Sequence, residues 1–250
     1  KNAGDLLIAI IATYDGNSTN AEFSTWGGGF TEFVDQATTA TMGIGAAYKW
    51  STGSETGTFT VTTADASTTD RQMILMSIAG AHASTAPEGG TITNGTTAAA
   101  DIAALNPAGW DIEDTLWIAV CGCGEVSGTG SFTGVASAPA NYTDYFETGI
   151  SADVVGGVEA AVAFRQLAAA SDDPATFSVD TSNARNSALL IAVRPVPASV
   201  TGVGLGDLLR GGEGALCVER ARDRRLLRPG RNPIHTGRAV DSHDQERGGA

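Results

Sequence analysis

The sequence contains few of the residues that build catalytic and metal sites. Only 3 of its 250 residues are histidine and only 3 are cysteine. A Ser/His/acid triad needs a positioned base, and His82, the only histidine before residue 200, is expected in a solvated loop. Three thiols without regular spacing argue against a disulfide framework and against a four-ligand zinc site. We therefore expect no metal and no cofactor, and we predict that the protein is not an enzyme.

Long apolar runs and basic residues are also scarce. No stretch of about 18 apolar residues is present, so we expect no membrane insertion. Residues 1–200 contain 6 of the 15 Lys and Arg residues but 21 of the 28 acidic residues, a net charge of −15, whereas residues 201–250 carry +2. A body this acidic would repel a phosphate backbone, so nucleic-acid binding is not expected. Acidic, Lys-poor, Thr-rich surfaces are common in extracellular and virion-surface proteins, and we expect one of these locations.

The remaining site-like patterns have simple interpretations. Cys121 and Cys123 are two residues apart on a predicted strand, so they share a face and are expected to act as small buried hydrophobes. Asp172 and Asp173 lie in a predicted loop, where a weak calcium site stays open as an alternative to turn chemistry. The glycines of residues 202–206 lack the strand and helix of a phosphate loop, which favours a flexible linker.

Two apolar runs organise the chain. Residues 5–12 read DLLIAIIA and residues 114–120 read DTLWIAV, and each is short, dense and opened by an acid, as expected for a strand buried on both faces. Four further pairs of similar segments follow in the same order: 30–33 with 142–145, 45–49 with 161–165, 58–61 with 176–179, and 71–79 with 185–194. This order predicts an internal duplication.

The composition favours strands over helices, because the chain is rich in Gly, Ala, Thr and Ser and poor in Lys. Each repeat offers about five short strands, too few to bury both faces of its own sheet, so we expect one shared core. We predict an all-β fold, an antiparallel β-sandwich that is jelly-roll-like and built from two pseudo-symmetric repeats. Its domain covers residues 1–198, with repeat 1 at about 4–80, a bridge at 81–112 and repeat 2 at about 113–195.

Alternation and turn signals place the individual elements. Strands are expected at 5–13, 30–34, 43–50, 58–63 and 72–79, and again at 115–123, 142–146, 154–165, 176–180 and 187–193. In the bridge, 86–90 and 94–95 are predicted turns, and 97–105 is either a short Ala-rich helix or a strand. Residues 199–250 are rich in Gly and Arg and are predicted to form a disordered tail or to be a non-native extension.

The tryptophans carry the only hint of a ligand. Trp117 lies within a core run and is expected to be buried. Trp26 and Trp110 flank loops rich in Gly or Pro, where an indole ring can stack on a sugar. Packing that anchors the two loops is the alternative.

The two core runs differ in what precedes them. Residues 101–109 lead into the second run and can add a strand, whereas only residues 1–4 precede the first run. By the symmetry of the repeats, one strand is then missing from the first repeat, and an open sheet edge with some apolar surface beside it results. We expect something to fill this edge. Either cleavage or an incomplete sequence has removed the natural strand, or a neighbouring subunit donates one by β-augmentation, which would join copies head to tail into a filament.

Several of these segments resemble those of a diffuse group of β-sandwich proteins that are phage tail or capsid-surface components. The resemblance covers roughly residues 4–195 and is carried by the GDLLIA run at 4–9, the aromatic-Thr-acid-aromatic segment at 30–33, AAYK at 46–49, GTFTV at 57–61 and AVRP at 192–195. It implies a fold and a setting rather than a reaction. We therefore expect a structural subunit of a virion or extracellular filament, with copies of itself or other structural subunits as partners. The alternative is a carbohydrate-binding module that recognises surface glycans.

Overall fold

The computed structural model describes residues 1–14, 23–35, 42–56, 58–63, 70–125, 134–149, 157–179 and 184–196. All of them belong to the unit Lys1–Ser199. Every regular element in these ranges is a β-strand and the strands pair in antiparallel fashion, so the predicted all-β class is confirmed. The predicted tail at 199–250 and Cys217 lie outside the described residues.

Six described strands fall in each half of the chain, and three short strands lie in the bridge. The first half contains β1 (Leu6–Tyr14), β2 (Phe23–Trp26), β3 (Thr31–Asp35), β4 (Met42–Trp50), β5 (Val61–Thr63) and β6 (Asp70–Ile78). The bridge contains β7 (Glu88–Gly89), β8 (Thr93–Gly95) and β9 (Ala99–Ala100). The second half contains β10 (Glu113–Glu125), β11 (Val135–Ser137), β12 (Thr143–Gly149), β13 (Val158–Ala169), β14 (Phe177–Val179) and β15 (Ala184–Val193).

The two large sheets have the same strand order. The first sheet runs β3-β4-β1-β6, and the second runs β12-β13-β10-β15 with β7 and β8 added on the outer edge of β15. A β-bulge interrupts the β3–β4 ladder between Glu32 and Val34, and the β12–β13 ladder shifts at the corresponding place, between Thr143 and Phe146. This correspondence supports the predicted duplication. In each large sheet, the four strands of the shared order come from one half of the chain, so the jelly-roll-like detail is not supported by the order of the described strands.

The two sheets pack face to face around one apolar core. The inner face of β1 presents Leu6, Ile8 and Ile10, which join Ile118 and Val120 of β10 in a single buried cluster. All nine residues of β1 are buried, because its outer face is covered as well. A strand that is covered on both faces reads as a continuous apolar run, and this explains the two core runs of the sequence.

A further layer covers the outer face of each sheet. On the first sheet this layer is the pair β2–β5, from which the Phe23 ring packs directly over Gly45 of β4. On the second sheet it is the three-stranded sheet β11-β14-β9. The second layer is therefore larger by one strand, and that strand, β9, comes from the bridge.

Local patterns misplaced several short elements. β2 lies between the strands expected at 5–13 and 30–34, where no strand was predicted, and β7 and β8 overlap predicted turns. The segment 97–105 forms β9 and no helix. β7 and β8 exist because the edge of β15 supplies hydrogen-bonding partners, with Gly89 opposite Ile191 and Asn94 opposite Ser187. A search of the sequence for alternating apolar and polar residues cannot detect such partners.

Candidate binding groove

The hydrogen-bonded strand ladders show which residues occupy equivalent positions in the two large sheets. Ile8 lies opposite Tyr48 in the first sheet, and Ile118 lies opposite Phe164 in the second. We call residues that occupy corresponding ladder positions counterparts. The pairs used below are Leu7 with Trp117, Lys49 with Arg165, Met73 with Ala188, Leu75 with Leu190, and Val34 with Phe146.

On the second sheet, the bridge and the strands of the outer layer together bury the outer face of the central strands. Trp117, Phe177 and Leu190 have 0% exposure and belong to one apolar cluster with Ile102 and Leu105 of the bridge. The bridge thus adds side chains to the core that the strands of the second half do not supply themselves.

Backbone hydrogen bonds hold the bridge in this position. β9 pairs with β14, with Ala100 opposite Phe177, and the Val179 N–H donates to the Ala98 carbonyl oxygen at 2.7 Å. Farther along, Leu105 and Asp172 exchange two backbone hydrogen bonds of 3.0 and 3.1 Å. The bridge therefore behaves as an additional strand on the edge of the outer layer.

A buried carboxylate fixes the end of this pairing. The Tyr142 hydroxyl donates to Asp172 Oδ2 at 2.6 Å, and Arg165 Nη1 donates to Asp172 Oδ1 at 3.0 Å. Burial together with the hydrogen bond to Asp172 raises the pKa of Tyr142 far above its usual range. Asp172 thus accepts hydrogen bonds from a phenol and from a guanidinium, an arrangement typical of a structural ion pair.

In the first half, the corresponding place is a groove. Its volume is about 280 Å³ and it opens on the outer face of the first sheet. We call it the acceptor groove and define it by six of its lining residues: Leu7, Phe30, Lys49, Glu55, Phe59 and Leu75. Leu7, Lys49 and Leu75 are the counterparts of Trp117, Arg165 and Leu190. The groove therefore lies where the bridge lies in the second half.

The aromatic walls of the groove also correspond. The Phe30 N–H donates to the Gly27 carbonyl oxygen in the turn before β3, and the Tyr142 N–H makes the same bond to Pro139 before β12. The rings of Phe30 and Phe59 stack with their centroids 4.7 Å apart. Phe59 is half-buried, whereas Phe177, which matches it in sequence, is fully buried under the bridge.

Glu55 takes the place of Asp172. The Thr52 N–H donates to Glu55 Oε1 at 2.5 Å and the Ser51 hydroxyl donates to Oε2 at 2.7 Å, and these bonds hold the pKa of Glu55 far below its usual range. Lys49 Nζ lies 3.9 Å from Glu55 Oε1, much as Arg165 pairs with Asp172. The Glu55 backbone carbonyl accepts a hydrogen bond from Lys1 Nζ at 2.5 Å, whereas the carbonyl of Asp172 accepts one from the bridge.

Within the described residues, the edge of the sheet beside the groove is open: no strand pairs with the outer edge of β6, whereas β7 and β8 occupy that edge of its equivalent, β15. Large apolar side chains are exposed on both sides of this edge. Met73 at 39% and Leu75 at 55% lie on the outer face of β6, and Phe146 at 54% lies on the inner face of the facing strand β12. We call these three residues, which flank the edge, the apolar patch. Their counterparts Ala188 and Leu190 are fully buried, and Val34 packs against Gly89 of β7.

The two tryptophans proposed as sugar platforms have different surroundings. Trp26 is half-buried at the end of β2, and its Nε1 donates to Glu32 Oε2 at 2.6 Å. Trp110 is only 8% exposed, belongs to the cluster under the bridge, and has the Arg194 guanidinium 5.8 Å from its ring centroid. This placement of Trp110 corresponds to the alternative of loop-anchoring packing. Trp117 is fully buried, as predicted.

The remaining site-like residues have structural surroundings. Cys121 and Cys123 are free and buried, as expected of small hydrophobes. His82 contacts residues of its own loop, and its Nδ1 lies 2.8 Å from the hydroxyl oxygen of Thr85. Within the described ranges, no group of three His, Cys, Asp or Glu side chains is placed to hold a metal ion. The same ranges contain no helix with the length and apolarity that crossing a bilayer requires.

Comparisons with protein-family models, with curated proteins and with solved structures found no match to this chain.

The sequence analysis did not identify the residues of the acceptor groove or of the apolar patch. The paired segments alone gave no clear signal, because aligning them on Arg71 and Arg185 sets Met73 against Ser187, and only the ladders set it against Ala188. A large apolar residue at the position of a small buried one needs more room or a different cover. That difference is visible only once the strands are paired.

Proposed function

We propose that this protein is a non-enzymatic structural subunit that binds copies of itself or other structural subunits. The observation that carries the proposal is the apolar patch, which flanks a strand edge that no described strand pairs with. Folded proteins rarely leave a strand edge flat and apolar, because it pairs with other chains. Large apolar side chains exposed beside such an edge are suited to contact with another protein.

The setting we propose is a virion, as a tail or capsid-surface protein, or an extracellular filament. It rests on the resemblance of residues 4–195 to virion β-sandwich proteins and on the acidic, Lys-poor body, which carries a net charge of −15 over residues 1–200. Such a charge disfavours binding to nucleic acid, so the proposed contacts are with protein.

Size-exclusion chromatography with light scattering, together with negative-stain electron microscopy, tests this function. We expect the purified chain to self-associate reversibly into regular assemblies, and we expect the double variant Met73→Lys/Phe146→Lys to be monomeric. Ile112→Lys is the matched control, since Ile112 is 75% exposed and lies outside the patch. A wild-type chain that stays monomeric at every attainable concentration would contradict self-assembly.

A second candidate function is carbohydrate binding at Trp26, the alternative that the sequence suggested. The half-buried indole ring and the Glu32 carboxylate that accepts its N–H lie side by side. An aromatic face next to a polar group can stack on a sugar and bond to its hydroxyls. A glycan array probed with the wild type and with Trp26→Ala tests this candidate. Binding that survives Trp26→Ala would place any glycan site elsewhere.

A further inference from the structure

We propose that the acceptor groove binds an extended strand of a different polypeptide, whose chemistry resembles that of bridge residues 96–110. The inference rests on the proposed function and names a partner for the groove that lies beside the apolar patch. In the second half, the bridge contributes two backbone-paired stretches and two apolar side chains, Ile102 and Leu105, to the outer layer. In the first half, the counterparts of the residues that receive the bridge line an open groove.

The groove offers the two kinds of contact that such a strand needs. Leu7 and Leu75 stand where Trp117 and Leu190 pack against Ile102 and Leu105, so they provide an apolar floor. The segment from Phe59 to Val61 matches the part of the outer layer that pairs with β9. An incoming backbone can therefore extend the pair β2–β5 into a three-stranded sheet by β-augmentation.

Charge favours a neutral or acidic strand. The groove lining contains Lys1 and Lys49 and one acid, Glu55, whose carboxylate both ammonium groups approach, at 3.4 and 3.9 Å. The lining keeps one net positive charge in a body whose net charge is −15 over residues 1–200. Residues 96–110 contain Asp101 and no Lys or Arg. Opposite charges steer association and disfavour partners of the wrong sign.

The donor that we propose is a different polypeptide, because the bridge of a second copy is already engaged in its own fold. In each copy, β7 and β8 are already paired with β15, and β9 is paired with β14. Ile102 and Leu105 are buried beneath the same segment. A second copy would have to uncover its own second sheet in order to donate this strand.

A synthetic peptide with the sequence of residues 96–110, carrying a fluorescent label at its N-terminus, tests the inference against the full chain by fluorescence anisotropy. We expect saturable binding. The control peptide carries Ile102→Asp and Leu105→Asp, and we expect it to bind at least about tenfold more weakly because it loses the apolar anchors. Equal binding of the two peptides would overturn the inference.

Protein variants locate the site. Leu75→Gln alters a side chain that is already 55% exposed, so the fold should persist, and we expect peptide affinity to fall about tenfold. Ile112→Gln is the matched control and should bind as the wild type does. Hydrogen exchange should show that the peptide slows exchange at residues 59–61. Binding that leaves these amides unchanged, or that Leu75→Gln does not weaken, would overturn the assignment of the groove.

The results also separate this inference from the proposed function. If the chain assembles but neither binds the peptide nor gains protection at 59–61, the structural role stands and the strand-acceptor role fails. If the peptide binds but no assembly forms, self-assembly fails and the acceptor groove stands. Protection of residues 59–61 that appears on self-association alone, and that the peptide reverses, would overturn the choice of a different polypeptide as the donor.

Discussion

In the second half of the molecule, Leu190 lies beneath the bridge with 0% exposure, whereas its counterpart in the first half, Leu75, is 55% exposed. Both residues occupy the outer face of the strand beside the central one. The two sheets therefore differ in cover rather than in construction. Side chains at equivalent positions are buried in one sheet and exposed in the other, according to whether another segment covers that face.

The same contrast holds for the polar groups. Asp172 is enclosed by Tyr142, Arg165 and the bridge backbone, and Glu55 makes its hydrogen bonds within its own turn. Enclosure removes water from an ion pair and makes the loss of one partner costly. The following experiments break or sharpen the comparison, beginning with the largest expected effect.

Truncating the two leucines should separate the halves most strongly. Leu190→Ala should lower the free energy of unfolding by about 3–4 kcal/mol, because it removes a fully buried side chain and leaves a cavity. Leu75→Ala should change it by less than about 0.5 kcal/mol. Urea denaturation followed by circular dichroism measures both variants. Equal losses would mean that the groove is covered in solution.

Removing the two carboxylates tests the polar contrast. Asp172→Ala should cost about 3 kcal/mol, because it leaves the Tyr142 hydroxyl and the Arg165 guanidinium without their buried partner. Glu55→Ala should cost clearly less, since its partners can bond to water. Thermal unfolding of both variants gives the comparison, with Asp172→Asn as the control that preserves shape. A larger loss for Glu55→Ala would reverse our interpretation.

Glu159 on β13 adds a pH dependence to the second half only, since its ladder counterpart is Gly43. Burial raises the pKa of Glu159 to about 7, and the nearby Glu147 adds to the effect, although the Val135 N–H that donates at 3.0 Å opposes it. The folded state then holds the proton more tightly than the unfolded state. Stability from this group is present below the ordinary glutamate pKa and is lost as the pH rises through about 7.

The variant Glu159→Gln isolates this contribution. Relative to the wild type, it should gain about 2 kcal/mol of stability between about pH 4.5 and about pH 8, a figure reduced for partial solvent access. Denaturation curves of both proteins at several pH values give the difference in stability. Taking this difference removes the contribution of the other titrating acids, because they are the same in both proteins. A difference that does not vary with pH would show that Glu159 titrates normally in the folded protein.

The smallest contrast involves Val34 on β3 and Phe146 on β12, the edge strands of the two large sheets. Val34→Ala should cost about 1 kcal/mol, because Val34 packs against Gly89 of β7. Phe146→Ala should cost less than about 0.5 kcal/mol, since its ring is exposed. Differential scanning calorimetry resolves these effects. A greater loss for Phe146→Ala would indicate that the apolar patch is covered by another part of the chain.

Much of the architecture was predictable because it is written into local patterns. The run at 6–14 is almost entirely apolar, as expected of a strand covered on both faces, and it is buried along its whole length. The segment at 70–78 was also predicted as a strand, but the alternating burial of its side chains follows from the cover on one face and not from its apolar run at 73–76. The paired segments also matched in order, and the ladders agree with the match of 30–33 to 142–145. For the last pair the ladders set Met76 against Ile191, one residue away from the alignment on Arg71 and Arg185.

The amino-acid sequence by itself determined which segments extend and which of their faces are apolar, because side-chain alternation and turn residues act within a few positions. Only the tertiary structure decided that two-residue segments such as β7 and β9 become strands, that Trp110 is buried, and that Leu190 is covered while Leu75 is not. These outcomes depend on hydrogen bonds and contacts between residues distant in sequence. A strand as short as β7 has no local stability of its own and forms only because the edge of β15 is there to receive it.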